Sequence, residues 1–237
     1  MVSHRRAVIL AAGQGTRLQP LTNGTPKTLL EVSGRPILDH ILDSLEKNGY
    51  EEVIVVTGFE SEQIRNHCEP RANSGLEFEF VHSDRFASTN NIYSLWLARE
   101  YAAGGFTLIN SDTLVPSQSL GKLQQKDGSA LLTDTEKELG DEEMKVALEN
   151  GYVEEIGKHL DEADAEYTGV SKFSAEDAPS LFERIHRFIE HDDVNEWYES
   201  AFDDLFDRTA VEHVSVQKPW IEIDTPADLE LARERWG

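Results

Sequence analysis

A short apolar run that stops at a glycine-rich loop constrains the fold of this chain more than any other feature of its sequence. The run covers residues 7–12, and Gly13, Gln14 and Gly15 follow it directly. Such a run is typical of a buried parallel β-strand. Glycine allows a tight backbone turn and a close approach to a ligand. The sequence therefore predicts a strand that leads into a binding loop.

Strand-like and helix-like segments alternate through the first half of the chain. Strand patterns cover residues 53–57, 77–81 and 106–109, and helix patterns cover residues 36–49, 60–68 and 90–103. This alternation predicts βαβ units, a mostly parallel sheet and helices on both of its faces. Ligands of such sheets bind beyond the carboxyl ends of the strands, where the glycine loop and Asp112 fall.

The pattern changes after about residue 128. Residues 144–149 and 152–156 flank Asn150-Gly151, which predicts an antiparallel hairpin with a tight primed turn. A strand at 167–173, helices near 176–191 and 194–207, a strand at 211–216 and a helix capped by Thr225 complete the prediction. We expect one α/β domain over residues 1–237, with an antiparallel excursion in its second half.

The balance of acidic and basic residues limits the kinds of molecule that this chain can bind. Asp and Glu number 45 against 22 Lys and Arg, for a net charge of -23, which disfavours a nucleic-acid partner. An acid-rich surface suits a halophilic host, with an acidic protein from an ordinary host as the alternative. The single Cys68 and the lack of an apolar run of about 20 residues predict a cytoplasmic protein without a membrane span.

The basic residues are concentrated at the start of the chain. Residues 1–38 carry a net charge of +4, and the remainder carries -27. Within this basic region Arg17 offers a planar fork for phosphate and Lys27 offers a point charge. A dinucleotide fingerprint would need glycine in place of Leu18, and no Walker Gly-Lys-Ser/Thr sequence follows. The region predicts an anion site, with a plain glycine turn as the alternative.

The strings A-V-I-L-A-A-G-Q-G-T-R-L and T-P-K-T-L-L-E-V-S-G-R-P-I-L resemble the nucleotidyltransferase superfamily that makes sugar nucleotides and CDP-alcohols. The resemblance implies a Rossmann-like fold, with an NTP-binding part at about residues 1–128 and an acceptor-binding part at about 129–237. It implies that Arg17 and Lys27 contact the NTP phosphates. The further nucleotide-binding residues are Leu10, Ala11, Ala12, Gly13, Gln14, Gly15, Thr16, Thr57, Gly58, Ser88, Thr89 and Asn90.

The same resemblance assigns a Mg²⁺ cofactor to two distant acids. Asp112 follows a strand end and Asp224 precedes a helix, at positions that match the metal aspartates of the family. Magnesium favours one or two carboxylates completed by water and phosphate oxygens. Ser111 departs from the glycine that commonly stands before the first metal aspartate. For each acid alone, a helix cap or a solvated charge is the alternative.

The string T-N-N-I-Y-S-L at residues 89–95 resembles the phosphocholine and inositol-phosphate cytidylyltransferase branch, which favours CTP as donor. Thr89 or Asn90 would also serve as a helix cap. The expected acceptor is a small phosphorylated molecule such as an alcohol phosphate. Its predicted contacts are Lys145, Lys158, Tyr167, Gly169 and Trp220.

Three alternatives stay open at this stage. Tyr167, Trp197, Tyr198 and Trp220 would form a cation–π box for a choline-like group, or they are core aromatics. The second alternative is that the enzyme is a hexose-1-phosphate uridylyl- or thymidylyltransferase. The third alternative is a non-catalytic nucleotide-sensing subunit. Such a subunit should lack one of Arg17, Lys27, Asp112 and Asp224, and all four are present. The sequence leaves the oligomeric state open, and a homo-oligomer is allowed.

Overall fold

The central sheet takes its strands from the whole length of the chain. The computed structural model describes residues 5–206 and 208–236. The strands are β1 (Arg6–Ala11), β2 (Glu31–Val32), β3 (Arg35–Pro36), β4 (Glu52–Thr57), β5 (Glu77–His82), β6 (Phe106–Asn110), β7 (Thr113–Leu114), β8 (Ala130–Asp134), β9 (Lys145–Glu149), β10 (Tyr152–Ile156), β11 (Ala165–Phe173), β12 (Glu212–Ser215) and β13 (Ile221–Glu222). The helices are α1 (Ile37–Lys47), α2 (Ser61–Cys68), α3 (Asn91–Leu97), α4 (Arg99–Ala102), α5 (Ser117–Gln124), α6 (Ala178–Glu190), α7 (Glu199–Phe206) and α8 (Pro226–Arg235).

Nine strands form one sheet in the order β5-β4-β1-β6-β11-β8-β12-β10-β9. The strands β5, β4, β1 and β6 are parallel to one another, and β12 is parallel to β8. Strand β11 pairs antiparallel with both β6 and β8, and β9 and β10 form an antiparallel hairpin. The predicted α/β class and the antiparallel region are confirmed. Strand β11 nevertheless lies in the middle of the sheet, which local sequence patterns do not reveal.

Helices cover both faces of the sheet because alternate residues of a strand face opposite sides. In β1, Ala7 and Ile9 belong to one buried cluster, which also includes apolar residues of α1, α5 and α8. Val8 and Leu10 belong to the other cluster, with apolar residues of α3, α6 and α7. An almost continuous apolar run in β1 is therefore what two-sided burial requires.

Most of the predicted elements are confirmed, with several differences. The hairpin turn has Asn150 at φ 51° and Gly151 at φ 88°, as a type I′ turn needs. Thr225 caps α8 in a capping box with Asp228. The helix predicted at 90–103 is divided into α3 and α4, and the helix predicted at 194–207 begins at Glu199. The elements that were not predicted are α5, β8 and the two-residue strands β2, β3, β7 and β13. Residues 130–134 form a short apolar run that local patterns do not separate from a buried helix segment.

The sheet brings the predicted site residues to one edge. Strand β1 pairs with β6 so that Leu10 lies opposite Asn110, which places the glycine loop beside Asp112. Strand β13 pairs with β7, and the amide of Ile223 donates to the carbonyl of Asp112 at 3.0 Å. The second predicted acid, Asp224, is therefore held next to the first by backbone pairing.

Among the helices at residues 5–206 and 208–236, none has the length and apolar content that crossing a bilayer requires. Cys68 is buried at the end of α2, and burial raises the pKa of its thiol to about 12. A thiol in this environment is a poor nucleophile.

Candidate active site

The glycine loop after β1 forms one wall of a cavity of about 1030 Å³. Gly15 adopts φ 60°, and a Cβ atom there would lie 3.0 Å from Cβ of Lys27 and 3.1 Å from Cγ2 of Thr22. The hydroxyl of Thr22 donates to the Gly15 carbonyl at 2.8 Å. Glycine is thus required where the loop turns back against the segment that carries Lys27.

Lys27 connects this loop to both predicted metal aspartates. Its Nζ lies 2.7 Å from Oδ2 of Asp112 and 2.6 Å from Oδ1 of Asp224. Arg17 reaches the other oxygen of Asp224, at 2.8 Å from Oδ2. Lys27 is largely buried, whereas Arg17 is exposed at the cavity mouth. Two cations and two acids from distant parts of the sequence therefore meet at one point.

A third carboxylate, Glu222, completes an acidic cluster. Oxygen atoms of Asp112, Glu222 and Asp224 all lie within 4.8 Å of one another, a spacing that could hold a metal ion. The Glu222 side chain is exposed to solvent within the concave cavity. Desolvation by the surrounding walls, together with the charges of Asp112 and Asp224, raises the pKa of Glu222 to about 8. The negative charge of the cluster favours a bound cation.

The wall opposite the glycine loop carries aromatic and charged side chains. Gly169 in β11 adopts φ 77°, and a Cβ atom there would lie 2.6 Å from Nδ2 of Asn110. The indole N–H of Trp220 donates to Oδ2 of Asp134 at 2.7 Å. The Tyr167 hydroxyl donates to Oγ of Ser171 at 3.0 Å. These contacts fix the aromatic rings before a ligand binds.

Glu199 lies at the start of α7 in the same wall and is buried. Its Oε2 has no hydrogen-bond partner within the described parts of the chain. Burial outweighs the hydrogen bonds from its own amide and from nearby side chains, and raises the pKa of Glu199 to about 7. A buried carboxylate with an unpartnered oxygen is costly unless a ligand compensates it.

A family model described as the MobA-like NTP transferase domain matches residues 7–165. This chain belongs to that family.

Relatives of this MobA-like transferase include several cytidylyltransferases. The CTP:phosphoglutamine cytidylyltransferase of Campylobacter jejuni is 27% identical over 97% of this chain and 99% of that protein. The bifunctional IPC transferase and DIPP synthase of Aquifex aeolicus is 30% identical over 96% of this chain, which spans only 51% of that longer protein. Sugar-phosphate nucleotidyltransferases also occur among the relatives.

The fold agrees with a solved structure from the same group. The CTP:phosphocholine cytidylyltransferase of Streptococcus pneumoniae superposes with a TM-score of 0.82 at 26% identity, over 97% of both chains. The match covers both the predicted NTP-binding part and the predicted acceptor-binding part of this MobA-like transferase.

Most of the nucleotide-binding residues predicted for this MobA-like transferase line the cavity. They are Leu10, Ala11, Ala12, Gly13, Gly15, Thr16, Arg17, Lys27, Thr89 and Asn90. Gln14, Thr57, Gly58 and Ser88 do not contribute to its lining. A Cβ atom on Gly58 would lie 2.7 Å from the Ala12 carbonyl and 2.5 Å from Cβ of Phe86, so Gly58 packs behind the loop. Asn90 accepts from the Asn91 amide and caps α3, as the alternative interpretation expected.

The predicted acceptor contacts divide in a similar way. Lys158, Tyr167, Gly169 and Trp220 line the cavity, whereas Lys145 does not. Instead, Lys145 Nζ donates to the Leu160 carbonyl at 2.8 Å, because the hairpin directs it toward a neighbouring loop. Of the four aromatic residues proposed for a cation–π box, Tyr198 is fully buried in the core and the other three line the cavity.

Sequence reasoning missed several residues of this site. The cavity is also lined by Asp134, Lys137, Glu199, Lys218 and Glu222. Glu222 lies two residues before Asp224, and alternate residues of an extended segment share a face, so the string W-I-E-I-D contained a usable signal. Lys137 and Lys218 are two of only nine lysines, but no local pattern indicates where they point.

Proposed function

We propose that this chain is a magnesium-dependent nucleotidyltransferase. It would transfer a nucleoside monophosphate from an NTP, with CTP as the favoured donor, to a small phosphomonoester, and release pyrophosphate. The observation that carries the proposal is the pairing of Lys27 with both Asp112 and Asp224 beside the glycine loop. The cytidylyltransferases among the relatives support CTP as the donor.

The residues at the acidic cluster fit a magnesium ion. Their donor atoms are carboxylate oxygens from Asp112, Asp224 and Glu222, and hard oxygen ligands suit Mg²⁺. Asp112 and Asp224 would hold the ion, with Glu222 as a third carboxylate of the same cluster. When bound, Mg²⁺ would neutralise charge on the phosphate oxygens.

The chain's own residues would act by positioning and charge. An oxygen of the acceptor phosphate forms a bond to the α-phosphorus of CTP, while the bond from that phosphorus to the bridging oxygen of pyrophosphate breaks. Arg17 and Lys27 would stabilise the negative charge that accumulates on the leaving group. The backbone amides of residues 11–17 would orient the triphosphate. No covalent intermediate on the protein is required.

A matrix of substrates tests this proposal. The protein is incubated with Mg²⁺ and each of CTP, UTP, dTTP, ATP and GTP, in combination with alcohol phosphates and hexose 1-phosphates, and pyrophosphate release is measured. Release with CTP and an alcohol phosphate is expected. Release only with UTP or dTTP and a hexose 1-phosphate would favour the sugar-nucleotide alternative. Absence of pyrophosphate release with every pair of substrates would refute the proposed enzymatic activity.

We also propose that the protein works in a reducing cytoplasm of high salt content. The net charge of -23 and the scarcity of lysine support this environment, since acidic surfaces stay hydrated in concentrated salt. Activity and thermal stability should both increase when dilute buffer is replaced by concentrated KCl. Higher activity in dilute buffer would favour an ordinary host instead.

A further inference from the structure

The loop between α6 and α7 carries Trp197, which lines the cavity. This α6–α7 loop covers residues 191–198, of which only Val194 and Tyr198 are buried and the other six are exposed. On the cavity side, Nζ of Lys158 lies 5.7 Å from the ring centre of Trp197. Packing into the core therefore fixes little of this loop, although the loop decides where Trp197 stands in the cavity.

Two asparagines beside the predicted donor site supply the contacts that hold this loop. The amide of Asn90 donates to the Val194 carbonyl at 2.8 Å, and Nδ2 of Asn90 donates to the Asn195 carbonyl at 3.2 Å. The Tyr198 amide donates to Oδ1 of Asn91 at 2.8 Å. In the described part of the chain, every hydrogen bond that joins the backbone of the α6–α7 loop to a residue outside the loop and its two flanking helices involves Asn90 or Asn91.

The side chain of Asn90 has a protein partner for each of its polar atoms. Its Oδ1 accepts from the Asn91 amide at the start of α3, and its Nδ2 donates to the α6–α7 loop. The sequence predicts a nucleotide contact for Asn90 and no role for Asn91. Both residues line the cavity, and their side-chain contacts connect the segment beside the glycine loop to the segment that carries Trp197.

Tyr198 links the Asn91 oxygen to the cavity wall. Its amide donates to Asn91, and its hydroxyl donates to Oδ1 of Asn110 at 3.0 Å. The Tyr198 side chain is fully buried, and Trp197 precedes it directly in the chain. Without the Asn91 oxygen, the Tyr198 amide would lose its acceptor, which costs free energy where water is excluded. The backbone next to Trp197 would then lose its fixed position.

We propose that Asn91 is a positioning residue for the acceptor: by accepting from the Tyr198 amide, it fixes the α6–α7 loop and with it the place of Trp197 in the cavity. The proposal rests on the function proposed above for the identity of the two substrates. A change at Asn91 should weaken acceptor binding and leave the contacts between the glycine loop and CTP in place. The T-N-N string at residues 89–91 would therefore affect the acceptor as well as the donor.

A comparison of two Michaelis constants tests this role. Asn91→Leu keeps the size of the side chain but removes the accepting oxygen. We expect KM for the acceptor to rise about five- to tenfold, with kcat and KM for CTP within about twofold of wild type. The acceptor is the alcohol phosphate that gives the highest kcat/KM with CTP. Asn66→Leu is the matched control, because it makes the same substitution at an exposed position of α2.

Amide hydrogen exchange examines the loop without any substrate. In Asn91→Leu, peptides that cover residues 191–198 should exchange about fivefold faster than in wild type. Asn91→Asp retains an accepting oxygen and should keep these peptides protected. Asn90→Ser is a second variant, since serine still caps α3 but lacks the Nδ2 donor. It should increase both the exchange rate and the acceptor KM. Melting temperatures confirm that each variant is folded.

The outcomes separate this proposal from the proposed function. If Asn91→Leu raises both Michaelis constants equally, or leaves the acceptor KM unchanged, the positioning role is wrong and the transferase stands. Unchanged loop exchange in Asn91→Leu, or equal acceleration in Asn91→Asp, also overturns it. If wild-type protein releases pyrophosphate with no pair of substrates, the transferase fails. Faster exchange in Asn91→Leu together with protection in Asn91→Asp would still support the fixing of the loop by Asn91.

Discussion

The ammonium of Lys27 lies 2.7 Å from a carboxylate oxygen of Asp112, although 85 residues separate them in the sequence. Burial alone would lower the pKa of Lys27, but Asp112 and Asp224 more than offset this effect and the pKa is raised. Lys27 therefore stays protonated beside the glycine loop. The contact joins the loop after β1 to the end of β6 and keeps a cation where a triphosphate would bind.

Replacing Lys27 by methionine tests this role. The variant retains most of the side-chain volume but loses the charge, and we expect kcat/KM to fall about 100- to 1000-fold. Lys47→Met is the control, since Lys47 is exposed at the end of α1. Steady-state pyrophosphate release measures both variants. Wild-type turnover in Lys27→Met would contradict the assignment.

The two aspartates proposed as magnesium ligands should respond alike to substitution. Asp112→Asn and Asp224→Asn each remove a charge from the carboxylate cluster, and we expect at least about a 100-fold loss of kcat/KM. In wild-type protein with CTP, we expect Mg²⁺ to raise the melting temperature, and this rise should be lost in both variants. Asp161→Asn, at an exposed position, should behave as wild type. A full Mg²⁺ response in both cluster variants would show that the ion binds elsewhere.

Alanine substitutions at two glycines of the donor site should impair the protein in different ways. Gly58→Ala places a methyl group 2.7 Å from the Ala12 carbonyl, so we expect the free energy of unfolding to fall by about 1–3 kcal/mol. Gly13→Ala meets nothing within 4 Å and should fold normally, yet weaken CTP binding by occupying the cavity. Urea denaturation and CTP titration distinguish the two effects. Gly128→Ala, also without neighbours, is the control and should change neither quantity.

Substitutions of the two lysines predicted to contact the acceptor from the hairpin side should have different effects. Lys145 donates to the Leu160 carbonyl outside the cavity, so Lys145→Met should cost about 1 kcal/mol of stability and leave the acceptor KM unchanged. Lys158 lines the cavity, so Lys158→Met should raise the acceptor KM by up to about fivefold. A higher KM in Lys145→Met alone would restore the original assignment.

Glu199 should make stability depend on pH. An unfolded glutamate titrates near 4.5, whereas Glu199 in the folded protein titrates at about 7, so the folded state binds more protons between these values. Stability therefore decreases as pH rises through that window, and the cost above it is roughly 3 kcal/mol. In urea denaturation, Glu199→Gln should be more stable than wild type at about pH 8 and similar at about pH 4. A constant difference across pH would exclude this titration.

The site residues that belong to distinctive local sequence patterns could be predicted. The glycine loop, Arg17, Lys27 and Asp112 follow from a strand, a short basic region and a strand end, because the carboxyl ends of parallel strands meet at one edge. The metal-binding role of Asp112 required the family resemblance, and so did any role for Asp224, since an acid in such a position is also an ordinary helix cap or a solvated charge. Its position next to Asp112 depends on pairing between β13 and β7, which has only two residues on each side.

The cavity wall opposite the glycine loop was harder to predict, because tertiary packing decides which side chains reach it. Lys145 and Lys158 looked equivalent on the hairpin, but only Lys158 faces the cavity. Glu199 lies next to Tyr198, and an acid beside a buried aromatic residue at a helix start gives no local signal for burial. The insertion of β11 between β6 and β8 brings these segments together, and alternation along the sequence does not specify that order.

Strand β11 connects two walls of the cavity. It pairs with β6, which leads to Asp112, and it carries Tyr167 and Gly169 in the opposite wall. In the proposed reaction, the separation between donor and acceptor would therefore depend on the register of β11 against β6. Substitutions in the loops that flank this strand would consequently change the choice of acceptor while leaving that separation in place.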